Sequence, residues 1–169
     1  PSSLMDSLKQ LRNQDYTHRY FVDGPAVEAD VYDSVSNRWK NLVQGSGGAG
    51  GKYLYSINMP VVDWPAGQTT EPTALTRAQS APGANDILWE INPKTTGFEE
   101  LGYVMSKPES GLTRDGSWVT IVGNGYESTS GKAQLFVINA LTGALIKKID
   151  TGAAGAATKK NGLGGVGVV

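Results

Sequence analysis

The chain has 169 residues, no cysteine and a formal net charge of −1 from 15 basic and 16 acidic side chains. This length suffices for one domain core, and the near-neutral charge excludes a basic field for binding nucleic acid or an anionic membrane. The lack of cysteine excludes a disulfide framework, thiolate metal sites and a cysteine nucleophile.

Twenty-two glycines and eight prolines favour a turn-rich, all-β fold. No run of about 18 apolar residues occurs, so no membrane-spanning helix is predicted. The chain begins PSSLMDS without an initiator Met and ends on the strand-like GVGVV. We therefore expect a piece of a longer protein.

The first 14 residues predict a short amphipathic helix that lies on a sheet. Ser2 or Ser3 is placed to cap its start. A helix that binds a partner is the alternative. The apolar positions on one helical face are Leu4, Met5, Leu8 and Leu11.

A first four-stranded unit is predicted within residues 20–92. Ala26–Tyr32 fits its first strand, next to the axis of a propeller, and Ile87–Ile91 fits its fourth. Between the third and fourth strands, residues 59–86 form an insertion with four prolines and Trp64. A loop of this length is functional or disordered, so it either packs down or contacts a partner.

A second unit is predicted over residues 101–150. Leu101–Ser110 fits its first strand, followed by three further short apolar runs. The three runs are Trp118–Val122, Ala133–Asn139 and Ala144–Ile149. Asn139–Gly143 supplies a tight turn with Thr142-Gly143 at its tip.

Residues 151–161 are predicted to be a linker, and residues 161–169 the start of a next unit.

The two units repeat the same layout. Trp39 matches Trp118, Gly51-Lys52 matches Gly131-Lys132, and residues 55–58 match 136–139. Four-stranded units that cannot bury both faces alone stack into propellers. We predict an all-β partial propeller of about two antiparallel blades plus the start of a third. Burial of each tryptophan between blades is expected to contribute about 3–5 kcal/mol.

Three groups of residues suggest binding chemistry, and each has a structural alternative that we favour. His18 is the only histidine and is expected to be a structural hydrogen-bonder. Asp23, Asp30 and Asp33 lack the spacing of a calcium loop, which favours turn and surface roles. The glycine-rich Gln44–Gly51 precedes a strand rather than a helix, so it predicts a hairpin loop and not a phosphate loop.

The run TRDGSW, residues 113–118, is a near match to the Asp-box turn of sialidases. Its spacing from Asp115 to Trp118 is too short, and a hairpin turn with Asp115-Gly116 at the tip is favoured. We predict no catalytic, cofactor-binding or metal-ligating residue in this chain. The loops 44–51, 59–86 and 123–131 are expected to face a partner.

Several segments carry a resemblance to a known family. YFVDGPAVEADVY, WKNLVQGSGGAGGKYLYSIN, LGYVMSKPE and WVTIVGNGYESTSGKAQLFVINALTGALIKKIDTG followed by NGLGG resemble the C-terminal propeller of PilY/PilC-type proteins. The resemblance covers about residues 15–165. GNGY, at Gly123–Tyr126, is its most specific part. These proteins are adhesins and assembly factors at the tips of bacterial type IV pili.

The resemblance implies an extracellular, non-enzymatic domain with a modified propeller of the quinoprotein-dehydrogenase type. It implies roles in pilus biogenesis, in counteracting retraction and in cell adhesion. Expected partners are minor pilins at the pilus tip, a host surface or matrix protein, and the remainder of the parent propeller. Outer-membrane association or a periplasmic stage in transit is also expected.

Calcium binding is implied for the parent protein, but the family's ligand loop of alternating Asp and Asn does not occur in this chain. No metal ligand is therefore assigned to any residue here. Two enzymatic alternatives remain open from the sequence. A quinoprotein dehydrogenase shares such repeats but needs ligands to calcium and often a vicinal disulfide. A sialidase is disfavoured by the imperfect TRDGSW.

Overall fold

The computed structural model describes residues 1–59, 83–155 and 160–167. Within them, eight strands form two four-stranded antiparallel sheets, and in each sheet every strand pairs with the next one in the chain. The first sheet holds β1 (Ala26–Asp33), β2 (Arg38–Ser46), β3 (Leu54–Met59) and β4 (Ile87–Ile91); the second holds β5 (Glu109–Leu112), β6 (Trp118–Gly123), β7 (Lys132–Asn139) and β8 (Leu145–Ala154).

The hairpin turns follow the predicted turn chemistry. Between β5 and β6, Gly116 adopts a φ of 85°, and its N–H donates to the Thr113 carbonyl at 2.9 Å. Between β7 and β8, the Asn139 side-chain oxygen accepts from the N–H groups of Leu141 and Thr142 at 3.0 and 2.9 Å. Asn and Gly therefore set these turns, as the sequence indicates.

The core lies between the two sheets and includes the segment that connects them. Strand residues of both sheets and loop residues 98–104 form one apolar cluster, in which the Phe98 and Phe136 ring centroids are 5.2 Å apart. Burial of this apolar surface is what joins the sheets. The buried members are Leu54, Trp89, Ile91, Phe98, Leu101, Val104, Val122, Phe136 and Ile138.

Polar contacts also tie one sheet to the other. The Ser46 hydroxyl donates to the Val104 carbonyl at 2.8 Å, and the Trp89 indole N–H donates to the Ala140 carbonyl at 2.9 Å. At the surface, the Lys52 ammonium donates to the Glu127 carbonyl at 2.6 Å. These bonds give the apolar interface a defined register, because each requires one particular alignment.

The N-terminal helix is shorter than the apolar pattern predicts. The α-helix α1 is Met5–Leu8, with 3₁₀ turns at Ser2–Leu4 and Lys9–Arg12. Leu4 is buried, whereas Met5, Leu8 and Leu11 are exposed. Ser2 and Ser3 do not cap the helix, because their hydroxyl groups donate to the Glu90 carboxylate instead. In the described ranges no helix has the length and hydropathy to cross a bilayer.

Two predicted boundaries in the second sheet are wrong. Leu101–Ser110 is not its first strand: Gly102 and Tyr103 pair with Asn124 and Tyr126 by backbone hydrogen bonds of 2.7 Å, and β5 begins only at Glu109. Pro108 lacks an N–H and ends any earlier ladder. The predicted linker is wrong at its start, because β8 continues to Ala154 opposite Lys132. Residues 160–167 contain no strand.

Candidate interaction surfaces

An exposed group of aromatic and aliphatic side chains crosses from the first sheet to the second. We call it the aromatic shelf. Tyr32 and Trp39 are a cross-strand pair of β1 and β2 with ring centroids 5.5 Å apart. Trp39 meets Trp118 of β6 edge-on, at 5.8 Å and 74°. Leu112, which pairs with Trp118 between β5 and β6, completes it and is 59% exposed.

The expected burial of Trp39 is wrong, because this side chain is 59% exposed. Burial along β2 increases from its first residues to its last, and Trp39 is the second residue. Only the far end of β2 lies under the second sheet. Trp118 is half-buried and packs against Val31 and Leu42. The two indoles hold corresponding places in the second strands of their sheets, but their exposure differs.

The shelf is carried by strands. Its three rings stand on strands rather than on loops, and the Tyr32 hydroxyl donates to the Asn37 side-chain oxygen at 3.4 Å. Asn37 has a φ of 53° in the β1–β2 turn. Rigid aromatic side chains offer large contact area at low entropic cost, which is why tyrosine and tryptophan are enriched at protein interfaces.

A second surface is a groove of about 500 Å³ on the first sheet, facing away from the second sheet. The Glu90 carboxylate closes one side by accepting from the backbone N–H groups of Ser2 and Ser3 at 2.7 and 3.1 Å. Burial raises the pKa of Glu90, but the serine donors outweigh it, so the pKa lies below its usual value. The lining residues are Pro1, Ser2, Met5, Val22, Tyr55, Ile57, Ile87 and Glu90.

The repeat indicates what kind of surface this groove is. Tyr55 and Ile57 of β3 correspond to Phe136 and Ile138 of β7. Phe136 and Ile138 are completely buried against the first sheet. The equivalent positions of the first sheet therefore lie on the face against which a preceding sheet would pack.

The glycine-rich loops 44–51 and 123–131 face outward only in part. Gln44–Gly48 and Gly123–Gly125 are buried, whereas Ala49 and residues 126, 127, 129 and 130 are exposed. A β-carbon on Gly48 would clash with the backbone of Gly24, and one on Gly123 with the carbonyl oxygens of Leu163 and Gly164. Glycine is required at these two positions because neighbouring backbone lies too close for a side chain. The buried parts of the loops are junctions inside the structure.

Asn124 is the centre of the second junction. Its side-chain nitrogen donates to the carbonyls of Glu100 and Lys132 at 3.1 and 2.8 Å. Its side-chain oxygen accepts from the N–H groups of Gln134 and Leu163 at 3.0 and 3.1 Å. One buried amide thus joins four segments of chain. It also fixes the position of residues 160–167.

The remaining sequence candidates have structural contacts. His18 lies at the surface, edge-on to Tyr20 at 5.4 Å. Asp23 accepts from the Gly50 N–H, and Asp30 from the Asn41 side chain. The Ser36 hydroxyl and the Lys40 ammonium lower the pKa of Asp33. Among the described residues, His, Asp and Glu side chains form no group of three that could hold a metal.

Most of the insertion predicted at residues 59–86, namely residues 60–82, lies outside the described part of the chain.

The aromatic shelf was not predicted as a surface. The local pattern predicts the opposite, because Arg38 and Lys40 share the strand face opposite Trp39 and such alternation indicates that the tryptophan is buried.

Comparison with known proteins identifies relatives along the whole chain. The family described as the PilY1 beta-propeller domain matches residues 1–168. The chain is 33% identical over 150 residues to a type IV pilus biogenesis factor PilY1 homolog of Xylella fastidiosa strain Temecula1, covering 89% of the chain and 9% of that protein. It is 30% identical over 153 residues to type IV pilus biogenesis factor PilY1 of Pseudomonas aeruginosa strain UCBPP-PA14, covering 89% and 11%.

A solved structure is also similar. The crystal structure of the Pseudomonas aeruginosa PilY1 C-terminal domain superposes with a TM-score of 0.65 and 29% sequence identity, over 97% of this chain and 28% of that one. The chain therefore spans about a tenth of the length of these curated relatives and about a quarter of the solved domain.

Proposed function

This chain belongs to the PilY1 β-propeller family, and on that premise we propose that it is a non-enzymatic part of a type IV pilus biogenesis protein. Membership confirms both the resemblance drawn from the sequence and the partial propeller fold of the two sheets. The proposed roles are support of pilus assembly, opposition to retraction and surface adhesion. The matching relatives are named as pilus biogenesis factors, which supports the first of these roles.

The remainder of the parent propeller is the first proposed partner. The groove face of the first sheet carries Tyr55 and Ile57 at the positions where the second sheet carries its interface residues Phe136 and Ile138. A neighbouring blade that packs there would bury the apolar groove in the same way. We place Ser2–Leu4, held by Glu90, at the rim of that contact.

The aromatic shelf is the proposed contact surface for a second partner, a minor pilin at the pilus tip. The exposure of Trp39, which meets Trp118 edge-on, is the observation that carries this proposal. Exposed and rigid aromatic clusters are typical of binding hot spots. A host surface or matrix protein is a further proposed partner of the same surface. The proposed location is extracellular at the pilus tip, with passage through the periplasm and outer membrane.

Structural rather than catalytic roles are proposed for the carboxylates. Those with lowered pKa accept hydrogen bonds from nearby donors, as Asp33 does from Ser36 and Glu100 from Ser130. Such pairing accounts for the shifts by local structure. Calcium dependence of the parent protein stays a prediction from the family resemblance.

The test uses the full-length parent protein with Trp39→Ser and, as a matched control, Ile146→Ser. Ile146 is 51% exposed on the edge strand β8, outside the shelf. Trp39→Ser should weaken binding to purified minor pilins by about 30-fold or more, because a hot-spot residue contributes at least about 2 kcal/mol. Ile146→Ser should bind normally. Equal binding by both variants would exclude the shelf as the pilin contact.

A further inference from the structure

A polar seam runs through the interface between the two sheets. At its centre is Gln44 of β2, which is fully buried. Its side-chain oxygen accepts from the hydroxyl groups of Ser110 in β5 at 2.8 Å and Thr120 in β6 at 2.9 Å. One atom of the first sheet therefore contacts two strands of the second.

The other side of this seam holds buried polar atoms without partners. The Gln44 side-chain nitrogen, the Ser56 hydroxyl and the Asn58 side-chain oxygen make no hydrogen bond to any described residue. Ser56 lies directly opposite Gln44 in the β2–β3 register, and Asn58 lies two residues further along β3. Residues two apart on a strand share a face, so the three side chains form one row.

Unpaired buried atoms are rare, because each loses its hydrogen bond to water on folding. Three of them in one row point to a shared occupant. The chemistry of the row limits what that occupant is. The Gln44 nitrogen only donates, the Asn58 oxygen only accepts, and the Ser56 hydroxyl does both. A cation cannot accept from Gln44, and an anion cannot donate to Asn58. Water does both.

We propose that the row Gln44, Ser56 and Asn58 is a binding site for ordered water inside the interface. One water molecule accepts from the Gln44 nitrogen and bonds to the Ser56 hydroxyl. The Asn58 oxygen, two residues along the same face of β3, accepts from water in the same row.

The first measurement uses the unsubstituted 169-residue chain in solution. Nuclear Overhauser spectra should show cross-peaks between water and the Gln44 side-chain amide protons, with the sign of a long-lived contact. The absence of these cross-peaks would overturn the proposal.

The second measurement is a double-mutant cycle with Gln44→Met and Ser56→Ala, read by denaturant unfolding. Each substitution alone leaves the shared water short of a partner. Each single substitution should increase the equilibrium constant of unfolding by some factor. The factor for the double variant should be at least about fivefold smaller than the product of the two single factors.

The matched control is Ser46→Ala in the same cycle with Gln44→Met. Ser46 is also buried on β2, but its hydroxyl already donates to Val104. In this control cycle, the change in the unfolding constant of the double variant should equal the product of the two single changes to within about twofold. If the single changes in the unfolding constant also multiply in the cycle of Gln44→Met with Ser56→Ala, Gln44 and Ser56 do not share a water molecule.

Discussion

The substitution Asn124→Asp tests the junction that holds the second sheet to the chain that follows it. The change is nearly isosteric but replaces the side-chain N–H₂ with an oxygen. The two accepted hydrogen bonds, from Gln134 and Leu163, survive. The two donated bonds, to the carbonyls of Glu100 and Lys132, are lost, and a carboxylate oxygen faces both carbonyls.

The magnitude follows from these four contacts. Two lost hydrogen bonds cost about 1–3 kcal/mol together. A charge in a completely buried position beside two carbonyl oxygens raises the total to about 3–5 kcal/mol at neutral pH. The free energy of unfolding of a domain is about 5–15 kcal/mol, so the loss is a large fraction of it.

The pH dependence has a definite sign. The site raises the pKa of the new carboxyl, because it favours the neutral form. The unfolded chain then loses its proton first, at about pH 4, and the penalty grows as the pH rises from there through the folded pKa. Urea unfolding of the variant at several pH values measures this.

Asn139→Asp is the matched control. The Asn139 side chain accepts from Leu141 and Thr142 through its oxygen, so a carboxylate serves equally well and stability should change by less than about 0.5 kcal/mol. Equal losses for the two variants, or an Asn124→Asp loss that does not depend on pH, would refute the polarity argument.

Two further predictions concern aromatic residues. Burial raises the pKa of Tyr53 to about 12, so stability should fall as the pH rises above about 10, where the unfolded tyrosine ionises first. Thermal unfolding between pH 9 and 11 measures this. Burial also raises the pKa of Tyr55, so a weaker decline remains in Tyr53→Phe, and an equally steep decline in that variant would contradict the prediction. Phe136→Ala should cost about 3–5 kcal/mol in denaturant unfolding but Trp39→Ser only about 1, and equal costs would contradict the exposure difference.

The strands and their order could be predicted because they depend on local pattern. Ile87–Ile91 is β4 with the predicted bounds, and the Asn139 and Asp115-Gly116 turns form where their residues indicate. The correspondence of Trp39 with Trp118 identified the second strand of each sheet. Short-range periodicity and turn chemistry are sufficient for these features.

The exposure of the candidate surfaces could not be predicted, because it depends on how far one sheet overlaps the other. Trp39 was expected in the core and the loop Gln44–Gly51 on the surface. Trp39 is exposed instead, and Gln44–Gly48 within that loop are buried. Glycine permits either an exposed turn or a close backbone crossing, and only the distant segment that crosses it decides which. For Gly123 that segment is Leu163, 40 residues later in the chain.

The contacts of Ser46 and Asn124 impose an order of assembly. Ser46 in the first sheet binds the carbonyl of Val104, which follows that sheet's last strand, and Asn124 in the second sheet binds the N–H of Leu163, which follows β8. Each sheet is thus completed by residues that the ribosome adds after its final strand. A nascent chain that ends at Ala154 has the eight described strands, yet the Asn124 side-chain oxygen and the Gly125 N–H lack their bonds to Leu163 until that residue is added.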